Sequence, residues 1–308
     1  MDRGADLLSR VTVVGDNHLV VRPGDAEFVV PPEFAGHADG FRRWAAIDEH
    51  GPSVHMGFGI CELDPGGSVA WHVRSYEESF YVVAGEVVCE TDEGVFVLGP
   101  GDYGVVGVGA PHAWRNMGSE PVTWAEMSAP QPRSDTRHTF VVPGRDALPT
   151  PVPIDVRDPR TRSFGHVSPE NMNADKQTQD RLAVSASMRT ALLVYSGITV
   201  KMMVDSDLGA DLSTMFMVQY VPGGFAGAHD HPLEEAYLIL EGEVDAVFDG
   251  HEYRMTVGDI ALAGVGCRHE FSNPADHPVR WLETQAPQPP ARHSYRFARD
   301  WVYLSDVL

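Results

Sequence analysis

Apolar residues along this chain come in short runs and alternations broken by turn residues. Met215-Phe216-Met217-Val218-Gln219-Tyr220-Val221 runs into Pro222-Gly223-Gly224, Ala236-Tyr237-Leu238-Ile239-Leu240 into Glu241-Gly242, and Val279-Arg280-Trp281-Leu282-Glu283-Thr284 stops just before Ala286-Pro287. Runs this short, with Gly or Pro at their ends, predict strands, and helical periodicity is nearly absent. Many such strands at turn-punctuated spacing predict an all-β protein, a sandwich or barrel. The segment Val141 to Arg181 is the exception. Its Pro143, Pro149, Pro151, Pro153 and Pro159 exclude central strands over much of it, so it reads as a crossover between two units. Within it, Ser168-Pro169-Glu170-Asn171 predicts a short helix, with Ser168 as cap and Pro169 in the first turn.

The pattern occurs twice. Pro65-Gly66-Gly67 recurs as Pro222-Gly223-Gly224, and the same offset of 157 residues maps His72 to His229, Glu78 to Glu235, Gly85-Glu86-Val87 to Gly242-Glu243-Val244 and Gly101-Asp102 to Gly258-Asp259. The register continues through Gly107-Val108-Gly109 and Gly264-Val265-Gly266, His112 and His269, Asn116 and Asn273, Trp124 and Trp281, and Ala129-Pro130-Gln131 and Ala286-Pro287-Gln288. A shifted echo, Arg137-His138-Thr139-Phe140 against Arg292-His293-Ser294-Tyr295, closes each unit. An internal duplication over 308 residues divides the chain into residues 1–155 and 156–308, each long enough for its own core.

The net charge of −21 repels phosphate backbones and anionic lipid, which argues against nucleic-acid and membrane partners. No apolar stretch approaches a membrane span, and Met1 to Val20 lacks the layout of a secretory leader, so a soluble cytoplasmic protein is expected. Cys61, Cys89 and Cys267 are odd in number and without Cys-x-x-Cys spacing. They read as buried small hydrophobes, and the spacing argues against a disulfide framework or a thiolate metal site.

In the second unit His229-Asp230-His231 is followed by Glu235, Gly242, Gly258, Gly266 and His269. Residues two apart share a strand face, so His229 and His231 point together, and a closed barrel can bring Glu235 and His269 to them. Three imidazoles and a carboxylate suit a divalent first-row metal. These residues resemble the cupin superfamily. Gly223, His229, His231, Glu235 and Gly242 meet its first motif, and Gly258, Gly266, His269 and Asn273 its second, with Gly264 and Gly107 standing where a Pro is expected. Because both units match, the chain looks like a bicupin, two tandem jelly-roll β-barrels. The fold alone does not choose among the dioxygenases, decarboxylases, isomerases, lyases, hydrolases and binding proteins of that superfamily.

The first unit departs from the motif: it has His72, Glu78 and His112, but Arg74 stands where a second His is expected. A guanidinium offers no lone pair. Arg74 is expected to pair with Glu78, or with Glu62 on the preceding strand, in place of an ion, the alternative being a clamp on a carboxylate ligand. The C-terminal barrel is therefore expected to hold one iron(II) or manganese(II), with nickel(II), copper(II) or zinc(II) as alternatives, on His229, His231, Glu235 and His269. Two open positions then remain for a substrate, with or without dioxygen.

Glu235 is the expected proton acceptor. If alternation holds along the strand before Pro222, Met217 and Gln219 line this barrel together with Tyr237, Ile239 and Phe271, and Gln219 is expected to reach substrate or a bound water. Trp124 and Trp281 are assigned to packing, and the nine histidines outside the motifs, including His166, His251 and His277, to the surface. The expected function is a quercetinase-like dioxygenase of an enolic or phenolic small molecule. An oxygen-independent decarboxylase, lyase or isomerase of a carboxylate or keto substrate is the first alternative, and a non-catalytic small-molecule-binding bicupin the second. Gentisate-type dioxygenases rank behind because they use three His without this Glu. A homo-oligomer is compatible with all of these.

Overall fold

The computed structural model describes residues 13–14, 17–144, 149–173, 195–288 and 296–297. Almost all of them lie in strands and turns, and helix among the described residues is limited to short 3-10 turns such as Pro159–Thr161 and Pro169–Met172. The latter is the short helix expected after Ser168, whose backbone N–H donates to Asn171 Oδ1 at 2.8 Å. The echo at Arg292-His293-Ser294-Tyr295 and the end of the crossover at Arg181 lie outside the described residues.

The strands form two sheets of eleven, each curled into a jelly-roll barrel around a long strand, Gly57–Arg74 in one and Thr214–Asp230 in the other. Each long strand bends at its Pro-Gly-Gly and changes partner there. Residues 214–220 pair with Val279–Ala286, whereas Phe225 to His229 pair with His269–Ser272. Gly57–Arg74 likewise moves from Val122–Ala129 to His112–Arg115. The motif glycines serve the turns after the strands Glu77–Ala84 and Glu234–Glu241: Gly85 and Gly242 have φ of 76° and 74°, and a Cβ on them would lie 2.4 and 2.6 Å from the carbonyl oxygens of Pro121 and Pro278.

Each barrel interior has an aromatic core, with Phe80, Phe96, Trp114 and Trp124 in the first and Tyr237, Phe248, Phe271 and Trp281 in the second. A third apolar cluster draws on both units, joining Met56, Phe58 and Met127 to Met215, Met217, Leu238 and Leu282, so the barrels pack through their outer faces.

The two sheets also exchange strands across the repeat boundary. His18–Val21 pairs with Ile260–Ala263 of the second barrel, while Phe164–His166 pairs with Asp102–Val106 of the first. A division after residue 155 thus follows the repeat and not the hydrogen bonding. The exchange accounts for Gly264: a Cβ there would lie 2.3 Å from Asn17 Oδ1, and the Gly264 N–H donates to Asn17 O at 2.9 Å. Where a Pro is expected, this chain needs both the space and the N–H.

Two repeat-related carboxylates fasten the barrels to each other. Glu234 is fully buried and accepts from Ser53 Oγ at 2.7 Å and from the backbone N–H groups of Val54, His55 and Met56 at 2.7, 3.0 and 3.2 Å. Its equivalent Glu77 accepts from Ser213 Oγ and from the N–H groups of Asp211 and Leu212 at 2.6 and 3.1 Å. Each barrel therefore inserts the residue before its motif Glu into the loop that leads into the other barrel's long strand.

Candidate metal centre

His229 is the penultimate residue of the long strand and lies directly opposite His269, which opens the strand His269–Ser272. His231 lies one residue beyond the strand end, and Glu235 sits in Glu234–Glu241. One candidate donor atom from each of the three histidines falls within 4.8 Å of the others, and the ring centroids of His229 and His269 are 4.3 Å apart. All three rings are held the same way. Nδ1 of His229, His231 and His269 lies 2.7, 2.9 and 2.9 Å from the carbonyl oxygens of Gly227, Leu233 and Cys267. A carbonyl can only accept, so each Nδ1 carries a proton and each Nε2 is turned to the pocket, where the neutral ring offers its lone pair. This is the tautomer and orientation that metal-ligating imidazoles require.

Glu235 completes the group, with Oε2 3.0 Å from His231 Nε2 and 3.3 Å from His269 Nε2. Tyr237 Oη donates to Oε2 and Gln285 Nε2 to Oε1. Burial opposes the charged form of Glu235, but His231 and His269 outweigh it and hold the carboxyl well below the usual range. Burial, with the His269 ring beside it, pushes His229 down to about 3, so this imidazole is neutral. For His231 burial acts downward and the Glu235 charge prevails, raising it. The pocket is therefore an anionic oxygen among imidazole nitrogens, a donor set that fits a divalent first-row ion.

Of the expected wall residues, Tyr237, Ile239 and Phe271 do face the barrel interior, with Phe271 packed 4.9 Å from the Tyr237 ring. Met217 and Gln219 do not. Met217 belongs to the cluster between the barrels, and Gln219 donates its amide to Met172 O at 3.1 Å. The cause is a register shift between Ala226 and His229: one extra residue reverses the alternation, so Phe216, Val218 and Tyr220 point inward. The expectation also missed Glu283, which is buried near Glu235 and accepts from Trp281 Nε1 at 2.9 Å. Burial, and after it the Glu235 charge, pushes its carboxyl well above the usual range. Alternation from Trp281 through Glu283 to Gln285 carried the signal for both residues.

The N-terminal pocket shows what Arg74 does. Its Nη1 lies 2.9 Å from Glu78 Oε2 and 2.8 Å from Glu126 Oε1, and its Nε donates to His72 Nε2 at 3.3 Å. The pairing with Glu78 is as expected. The second partner is Glu126, the repeat equivalent of Glu283, and not Glu62, which faces outward and pairs with Arg42 at 3.2 Å. His72, Glu78 and His112 still have donor atoms within 4.8 Å of one another, but the guanidinium stands among them. Trp124 stacks on Trp114 at 5.4 Å and Trp281 packs on Phe271 at the same separation, in keeping with packing roles. His18 departs from the surface assignment: it is buried. Among the described residues no helix is long and apolar enough to cross a membrane.

The cupin-domain family profile matches residues 59–128 and 216–284. A gentisate 1,2-dioxygenase from Ralstonia sp is 29% identical over 143 residues, which cover 45% of this chain and 38% of that protein, so the chain spans well under half of that relative's length. Among solved structures, the oxalate decarboxylase of Lactobacillus farciminis in its formate complex is similar at a TM-score of 0.62 and 16% identity, over 95% of this chain and 91% of that one. A Bacillus subtilis oxalate decarboxylase with Mn(II) centres is similar at 0.60 and 14%, over 95% of this chain and 81% of that one. At such identities the structural likeness speaks for the fold alone.

Proposed function

The chain is a bicupin of the cupin superfamily, and from that premise we propose that its C-terminal barrel is a mononuclear metal enzyme site, a dioxygenase of an enolic or phenolic small molecule. The observation that carries the proposal is the common orientation of three imidazoles, each with Nδ1 on a backbone carbonyl and Nε2 beside Glu235. His229, His231 and His269, with Glu235, would hold the ion. Bound there, iron(II) or manganese(II) would supply Lewis acidity and one-electron chemistry.

The chain's own groups have separable tasks. Glu235 takes the proton from a substrate hydroxyl, and its two neighbours Tyr237 and Gln285 hold the carboxylate in place for that transfer. Glu283, whose carboxyl burial pushes well above the usual range, stands at the same wall and accepts from Trp281 Nε1. Phe271, Tyr237 and Ile239 exclude water.

The gentisate dioxygenase relative supports a phenolic acid as the substrate class, with the gentisate-type reading now beside the quercetinase-like one. The fold likeness to oxalate decarboxylases supports a second reading, oxygen-independent decarboxylation of a carboxylate or keto substrate. To separate them, the protein is reconstituted anaerobically with iron(II) or manganese(II) and mixed with phenolic acids, enols, diketones and oxalate. Dioxygen uptake matched to loss of a phenol or enol supports the first reading. Carbon dioxide release without oxygen uptake supports the second, and binding without turnover refutes both.

A further inference from the structure

Where the N-terminal segment docks on the second barrel, donors from three distant parts of the chain meet. The ligand atoms of His18, Asp249 and Cys267 all lie within 4.8 Å of one another. His18 opens the exchanged strand, opposite Ala263. Asp249 sits in the turn joining Glu243–Phe248 to His251–Thr256, and Cys267 ends the turn that leads into His269.

We propose that these three side chains form a second metal site, a zinc(II) site that clips the N-terminal segment onto the C-terminal barrel. An imidazole, a thiolate and a carboxylate are a borderline-soft set that suits zinc, with water or His251 as a fourth donor; the His251 ring centroid is 5.4 Å from that of His18. The surroundings hold each donor. Tyr253 Oη lies 2.7 Å from His18 Nε2, and the imidazole stacks 5.8 Å from Phe248. One oxygen of Asp249 accepts from the Arg268 N–H at 2.9 Å. Asn17 Nδ2 donates to Val265 O at 2.9 Å and ties the incoming segment to the turn that carries Cys267. Partners of this kind orient metal ligands and raise affinity.

His18 and Cys267 are each 1% exposed whereas Asp249 is exposed, so an ion enters from the Asp249 side. As the zinc–sulfur bond forms, the thiol proton passes to water and no electron is transferred. Cysteine spacing argued against a thiolate site because a short motif is all that spacing can show; here the imidazole comes from the other end of the chain.

Cobalt(II) is the direct probe, since a thiolate ligand gives a sulfur-to-cobalt charge-transfer band that the His and Glu site in the barrel cannot give. The full-length protein is titrated with cobalt(II) and, separately, with zinc(II). The band is expected in wild type and in His231→Ala and absent in Cys267→Ser. Asp249→Asn suits the φ of 49° at that position and should weaken zinc binding about tenfold or more while the fold is kept. No band in wild type, a band that survives Cys267→Ser, or unchanged zinc affinity in Asp249→Asn would overturn the proposal.

Discussion

Replacing Glu234 by Ala tests how the two barrels are joined. The carboxylate is 0% exposed and collects three backbone N–H groups and one hydroxyl from residues 53–56 of the other barrel. Ser53 Oγ is also 2.6 Å from Met56 O and can turn to it, so the hydroxyl is not stranded. The Met56 N–H also reaches Ser53 Oγ at 3.3 Å, whereas the N–H groups of Val54 and His55 have no such substitute at hand. An unsatisfied buried donor costs about 1–3 kcal/mol, and water entering the space vacated by the side chain recovers part of that.

A net loss of about 2–4 kcal/mol is therefore expected. At roughly 2–4 °C per kcal/mol for a large domain, the thermal midpoint should fall by about 4–16 °C. Glu234→Gln keeps one acceptor oxygen but turns an NH2 group toward a donor, so it should lie between wild type and Ala. Calorimetry gives the midpoints, and amide exchange should show residues 54–56 losing protection although the substitution lies in the other barrel. A loss below about 1 kcal/mol for Glu234→Ala, with protection at residues 54–56 unchanged, would refute the reasoning.

Other expectations follow from the two pockets. Arg74→His completes a His-x-His pair ahead of Glu78 and His112 and leaves Glu126 paired with Arg43, so the variant should take up one more manganese(II) than wild type after the same reconstitution; a stable variant with no added metal would show that the first pocket is not shaped for an ion. Burial pushes the Glu126 carboxyl up, but Arg74 and Arg43 prevail and hold it at about 2, below the ordinary 4.5. Its contribution to stability is complete above the unfolded-state value near 4.5 and is lost as pH falls toward 2, so acid unfolding should be steeper there in wild type than in Glu126→Gln, and identical profiles would contradict this. Glu235→Gln keeps a ligand oxygen and loses the base, so single turnovers at matched metal occupancy should slow by about 10²-fold or more, whereas equal rates would remove Glu235 from proton transfer.

Much of this arrangement was legible before any coordinates. Short apolar runs with Gly and Pro punctuation define the strands, and the offset of 157 residues aligns the two barrels down to the glycines with positive φ. The three histidines and Glu235 were readable because the spacing of a strand end, a turn and a returning strand is set by the pleat. What escaped depends on non-local geometry. Alternation from His229 back to Gln219 fails at the register shift after Ala226, which no local pattern announces. The exchange of His18–Val21 onto Ile260–Ala263 escaped because an alternating strand does not name its partner. Glu77 and Glu234 were hidden beside the motif glutamates, although their shared offset marked them as a pair.

The central claim is that the C-terminal barrel alone holds the catalytic ion, on imidazoles already turned to receive it. Manganese(II) per chain should be measured by elemental analysis and electron paramagnetic resonance in wild type, His231→Ala and His269→Ala, after identical reconstitution and desalting. About one ion is expected in wild type, with a loss of affinity of roughly 10–100-fold or more in each variant. Manganese content that stays the same in both variants, or a wild-type chain whose second manganese sits in the N-terminal barrel and is lost in His72→Ala, would contradict it.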